Sequence, residues 1–162
     1  MVMASSKSQL QVDTENLELS LIRVINAPRE LVWKAYTTRE YVEKWWGPRK
    51  YETVVLEMDV RPGGRWRFLN RAEGKEHPFT GVYQEVVAPE RLVTTFIYDV
   101  EGARDNPGLD VAIFEDLGDG RTKLITKAVF PTLAALQESL NSGMESGWVE
   151  TLDRLVELLE EK

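Results

Sequence analysis

Hydrophobic and polar positions change period three times along the chain. Between Leu17 and Ile25, Leu17, Leu19 and Leu21 alternate with Glu18 and Ser20, the period-two pattern of a half-buried strand. Asn26 is then a candidate helix cap and Pro28 falls near a first helical turn, with Leu31, Val32, Ala35 and Tyr36 following at helical spacing. A second short helix is predicted over Arg39 to Lys44, stopped by Gly47-Pro48.

From Tyr51 the period returns to two. Leu56, Met58 and Val60 share one face and Glu57, Asp59 and Arg61 the other. Pro62-Gly63-Gly64 reads as a turn into a strand that alternates Trp66 and Phe68 with Arg65 and Arg67. With Arg61 facing Arg65, Asp59 lies opposite Arg67, Met58 opposite Phe68 and Val60 opposite Trp66, so like sits with like and opposite charges meet. Further strands are predicted at Phe79–Val87, Leu92–Asp99, Leu109–Leu117 and Thr122–Phe130, the last two joined by an Asp119-Gly120 hairpin. Pro131 ends the strands, and everything from Leu133 reads as one long helix whose apolar stripe is Leu152, Leu155, Val156 and Leu159. Runs of strands followed by a helix predict an α+β fold, the helix covering one face of a curved antiparallel sheet.

Composition narrows the function classes. A chain of 162 residues is one ordinary domain, predicted over 17–162 behind a disordered lead-in at 1–16. Twenty Lys and Arg against 27 Asp and Glu give a net charge of −7, which argues against nucleic-acid binding. No stretch approaches the roughly 20 apolar residues of a membrane span. The Ser/Gln-rich start has no apolar core of a signal peptide, so the expected compartment is the cytoplasm. The absence of Cys excludes disulfides, thiolate nucleophiles and Cys-based metal centres. Five each of Trp, Tyr and Phe stand against a single His, a composition rich in apolar contact surface and poor in catalytic groups.

The segments APRELVWKAYT, WWGP, DVRPGGRWRF, GVYQEVVAPERLV and FEDLGDGRTKL, with SGMESGWVETLDRL after them, resemble the bacterial members of the activator of heat-shock-protein-90 ATPase homologue family, within the START-like, polyketide-cyclase-like superfamily. The resemblance runs from about Leu17 to Glu161. It implies a START-like helix-grip fold: a curved antiparallel sheet wrapped around a long C-terminal helix, with two short helices after the first strand and an elongated cavity inside. It implies no single activity, because the superfamily hosts carriers, receptors, cyclases and hydrolases. The eukaryotic co-chaperone of this name carries a separate N-terminal chaperone-binding domain, which the 16 leading residues here are too few to supply.

Within that frame the candidate pocket residues are Trp46, Met58, Trp66, Phe68, Tyr83, Glu85, Phe96, Met144 and Trp148. The aromatics could equally be ordinary core; collectively they line or fill a large volume. Gly143 and Gly147 read as helix-interior glycines, which calls for close approach or reserved space. Glu85 shares Tyr83's face by alternation and would project inward as a polar group. His77, in an expected loop, reads as solvated, and no nucleophile motif or metal-ligand spacing accompanies it. No catalytic residue, metal or cofactor is assigned. The favoured reading is binding of a small hydrophobic molecule, aromatic or lipid-like, by a monomer or homodimer. The alternatives are a cyclase- or hydrolase-type cavity enzyme using Glu85 or His77, and chaperone regulation through the outer surface.

Overall fold

The computed structural model describes residues 8–99 and 108–160. Eight strands form one antiparallel sheet: β1 (Ser8–Asp13), β2 (Glu18–Ile25), β3 (Glu52–Met58), β4 (Arg65–Ala72), β5 (Lys75–Val87), β6 (Arg91–Tyr98), β7 (Gly108–Asp116) and β8 (Thr122–Val129). Their order across the sheet is β1-β2-β8-β7-β6-β5-β4-β3. Helices α1 (Arg29–Thr37) and α2 (Arg39–Trp45) connect β2 to β3, so they carry the chain from one side of the sheet to the far edge. Helices α3 (Leu133–Asn141) and α4 (Met144–Glu160) follow the last strand. This is the helix-grip fold, with α4 against the concave face.

The core forms where strand parity meets the helical stripe. Leu21 and Ile25 of β2, Phe114 of β7 and Leu124 of β8 are buried with Leu152, Leu155 and Leu159 of α4. Val32 and Ala35 of α1 and Val42 and Trp45 of α2 close the same cluster. Burial of each large apolar side chain contributes about 1.5–3 kcal/mol.

Several elements depart from the expectation. Ser8–Asp13 is not part of a disordered lead-in but an edge strand paired with β2, Leu10 opposite Leu21; the expectation for residues 1–7 lies outside the described residues. Asn26 does not cap α1. Pro28 occupies the cap position, and the Asn26 backbone N–H donates instead to Glu160 at 2.8 Å. The β3–β4 register is two residues from the predicted one: Met58 lies opposite Trp66 and Glu57 opposite Arg67. The turn is wider than Pro62-Gly63-Gly64 alone, because Asp59 N–H donates to the Arg65 carbonyl and Gly64 N–H to that of Arg61. A bulge then places Leu56 outside the ladder and 48% exposed, and Asp59 pairs with Arg61 rather than Arg67.

The long final helix is two helices. Gly143 adopts φ +82°, a left-handed conformation that ends α3 and lets the chain turn into α4. Gly143 is therefore a breaker, and only Gly147 is a helix-interior glycine. His77 lies within β5, not in a loop.

Candidate functional site

The concave face is not filled along its whole length. On β7 the inward residues shrink from Phe114 to Ala112 and Asp110, and on β8 from Leu124 to Thr126 and Ala128. Large side chains meet α4 at one end, while small ones leave space at the other. That space is a cavity of about 820 Å³, bounded by the sheet, the C-terminal end of α2, α3 and the start of α4. Its size is within the range of small-molecule sites.

An aromatic wall forms its β4–β6 side. The Trp46 ring lies 5.0 Å from Phe68, 5.5 Å from Phe79 and 6.2 Å from Trp66, all edge-on. Trp66 lies 4.8 Å from Phe68 and 5.8 Å from Phe96, and Phe79 lies 5.4 Å from Phe96. Such spacings are those of attractive ring pairs. The wall depends on Gly81: a Cβ there would lie 2.0 Å from the Thr95 carbonyl oxygen and 2.5 Å from Trp66 Nε1. No side chain fits between that carbonyl and the indole.

Trp46 is positioned from outside the cavity. Arg154 of α4 donates to the carbonyls of Lys44 and Gly47 at 2.7 and 2.8 Å, satisfying acceptors at the end of α2. The Thr53 hydroxyl donates to the Trp46 carbonyl and lies 2.9 Å from the Asn70 side-chain amide. Trp45 turns into the core, and its Nε1–H donates to the Ala35 carbonyl at 2.9 Å.

Of the nine residues read from the sequence, Trp46, Trp66, Phe68, Tyr83, Phe96, Met144 and Trp148 border this cavity. Met58 and Glu85 do not. Met58 is half-buried opposite Trp66 at the edge of the core. Glu85 is a correction: the β5–β6 register shifts between Tyr83 and Glu85, which reverses the parity. Its carboxylate points to solvent and accepts from Arg91 Nε at 3.0 Å. His77 also lies off the cavity, its Nδ1 2.8 Å from the Tyr98 hydroxyl and its ring 5.5 Å from Tyr51.

Phe79, Tyr36 and Asp110 are among the lining residues that the sequence pattern did not single out. Asp110 is the most consequential, because burial in this apolar space pushes its carboxyl up to about 7. Tyr36, packed on Trp45 and Phe114, has its hydroxyl pushed well up by burial and by the nearby Asp110 charge. The signal for Asp110 was present: an acidic residue on the parity of Ala112 and Phe114.

A family model described as activator of Hsp90 ATPase homolog 1-like protein matches residues 26–160. The chain belongs to that family. The match spans both short helices, β3 to β8, α3 and the whole of α4, so it includes every element that bounds the cavity. Among solved structures, a protein from Arthrobacter aurescens superposes with a TM-score of 0.88 at 20% identity, covering 95% of this chain and 92% of its own. One from Rhodobacter sphaeroides gives 0.85 at 22% identity, covering 96% and 99%. Another from Chromobacterium violaceum gives 0.77 at 29% identity, covering 89% and 97%. No curated protein matches the chain. The activator of Hsp90 ATPase homolog 1-like family thus accounts for the helix-grip architecture. Among the described residues no helix is long and apolar enough to cross a membrane.

Proposed function

We propose that this protein binds a small hydrophobic molecule, aromatic or lipid-like, in the cavity between its sheet and α4, and that binding is not coupled to a reaction. The observation that carries this reading is a cavity of about 820 Å³ walled by Trp46, Trp66, Phe68, Phe79 and Phe96. Removing apolar ligand surface from water supplies about 25 cal/mol per Å², and pre-packed rings lose little freedom when a ligand enters. Met144 and Trp148, one helical turn apart at the start of α4, give the wall an adaptable side. Acid–base chemistry on Glu85 or His77 gains no support, since neither borders the cavity.

A thermal-shift screen of aromatic and lipid-like compounds, followed by native mass spectrometry of the hits, tests this reading. The expected result is a one-to-one complex with raised melting temperature for some of them. Absence of any such complex across the screen counts against it.

Family membership favours a second reading, regulation of a chaperone ATPase through the outer surface. Pull-down with a bacterial chaperone of that class and an ATPase assay separate it from the first, because cavity ligands leave an outer-surface contact unchanged.

A further inference from the structure

Among the described residues two carboxylates border the cavity, and they differ in kind. Glu138 stands exposed on α3, whereas Asp110 is on the concave face of β7 between Thr94 of β6 and Ala128 of β8. Among the described residues the Asp110 carboxyl has no hydrogen-bond or ion-pair partner. A carboxyl in such a place costs stability unless something pairs with it. Its cross-strand neighbours are small, which leaves its oxygens open to the space in front of them.

Among the described residues the cavity supplies no cation of its own. Its other titratable lining groups are Tyr36 from α1, Tyr83 from β5, Tyr98 from β6 and Lys127 from β8; α2, β4 and α4 contribute none. Lys127 has the opposite parity to Thr126 and Ala128, and its Nζ lies 3.8 Å from Glu18 on the outer face. The same chamber is lined by the aromatic wall, and aromatic ring faces attract positive charge.

We propose that the ligand is an apolar amine, its protonated nitrogen paired with the Asp110 carboxylate and its hydrocarbon or aromatic body filling the chamber walled by Trp46, Trp66, Phe68, Phe79 and Phe96. This rests on the reading of the cavity as a ligand site and adds to it the charge of the ligand. Desolvation that is unfavourable in the empty protein is relieved once a cation arrives. Because the empty-state carboxyl titrates near 7, the sign of the pH dependence identifies the ligand's charge. A cation requires the ionised carboxyl and binds more tightly as pH rises; a neutral hydrogen-bond acceptor or an anion requires the protonated form and binds more weakly.

The experiment is isothermal titration of the protein with three near-isosteric probes, naphthalen-2-ylmethylamine, naphthalen-2-ylmethanol and 2-naphthoate, at pH 5.5 and pH 8. The amine should bind more tightly than the alcohol at pH 8, and its affinity should fall by about 10- to 30-fold at pH 5.5. In Asp110→Asn, of the same shape and uncharged, the amine should lose its advantage while the alcohol binds as before. Equal or tighter binding of the alcohol or naphthoate at pH 8, or an amine affinity independent of pH, overturns the amine assignment and leaves the cavity reading standing. No binding by any of the three overturns both. The pH profile needs only the unmodified protein, so the test does not depend on how the variant folds.

Discussion

Arg23 on β2 donates to Asp153 on α4 at 2.6 Å, from a side chain only 2% exposed. The same nitrogen donates to Ser8 Oγ at 2.9 Å, tying the edge strand β1 into the contact. The pair fastens the helix to the sheet at the filled end of the concave face, beside Leu152, Leu155 and Leu159. It is a positional clamp: α4 must hold this register for Gly147 and Trp148 to roof the cavity.

Asp153→Ala leaves the Arg23 guanidinium buried without its carboxylate. The expected loss is about 2–3 kcal/mol, below the 3–5 of a fully buried pair because Asp153 keeps part of its surface in water. Replacing both together, Arg23→Met with Asp153→Leu, should restore most of that. Urea denaturation of the three proteins checks it; a single variant as stable as the parent would remove the clamp from the account.

The two glycines near the start of α4 should respond in opposite directions. A Cβ at Gly147 would meet Pro48 Cγ at 3.5 Å, ordinary contact, and helical residues prefer Ala to Gly. Gly147→Ala is therefore expected to stabilise by about 0.5–1 kcal/mol. Gly143→Ala must place a side chain at φ +82° and should destabilise by about 1 kcal/mol or more. Thermal melts would show the difference as shifts of a few degrees of opposite sign. If Gly147→Ala is stable but binds ligand less well, the missing Cβ is space reserved for the ligand.

Much of this fold could be read from the sequence, and the failures share a cause. Alternation located β2 and β4 to β8, and helical spacing located the buried stripe of α4, because both signals report a single buried face over many residues. Where the chain inserts one residue, parity beyond that point reverses. The bulge at Leu56 and the shift between Tyr83 and Glu85 each did so, which sent Leu56 and Glu85 outward. Alternation counts residues, whereas a bulge is set by packing from the neighbouring strand. The aromatic half of the site was legible since Trp66, Phe68 and Phe96 are conspicuous. The polar half was legible only in part: Asp110 shares the parity of Ala112 and Phe114, but its meaning depends on small neighbours contributed by β6 and β8.

Stability should carry the signature of Asp110. Its carboxyl is held near 7 in the folded protein against an ordinary value of 3.8, so the folded state binds more protons than the unfolded state between those limits. Stability contributed by the neutral carboxyl is thus complete below about pH 4 and is lost as pH rises through 7, by an amount on the order of 1–4 kcal/mol. Glu157, held low by its pairing with Arg49, acts in the opposite sense and only in acid. Asp110→Asn should therefore be more stable than the parent at pH 8 and nearly equal to it at pH 4.5. Chemical denaturation of both proteins across that range checks the difference, and parallel profiles would place the Asp110 carboxyl in contact with water.

Whether the space beneath α4 takes a ligand is tested most directly by filling it. Ala128 borders the cavity from β8, opposite Asp110 in the ladder, and Ala128→Phe would fill part of it. Fluorescence titration with N-phenyl-1-naphthylamine, an uncharged apolar probe, should give saturable one-to-one binding to the parent. In Ala128→Phe, with its circular dichroism unchanged, affinity should fall at least about ten-fold, as expected if about 1.4 kcal/mol of contact is displaced. Failure of the parent to bind saturably, or equal binding by the filled variant, would contradict the account.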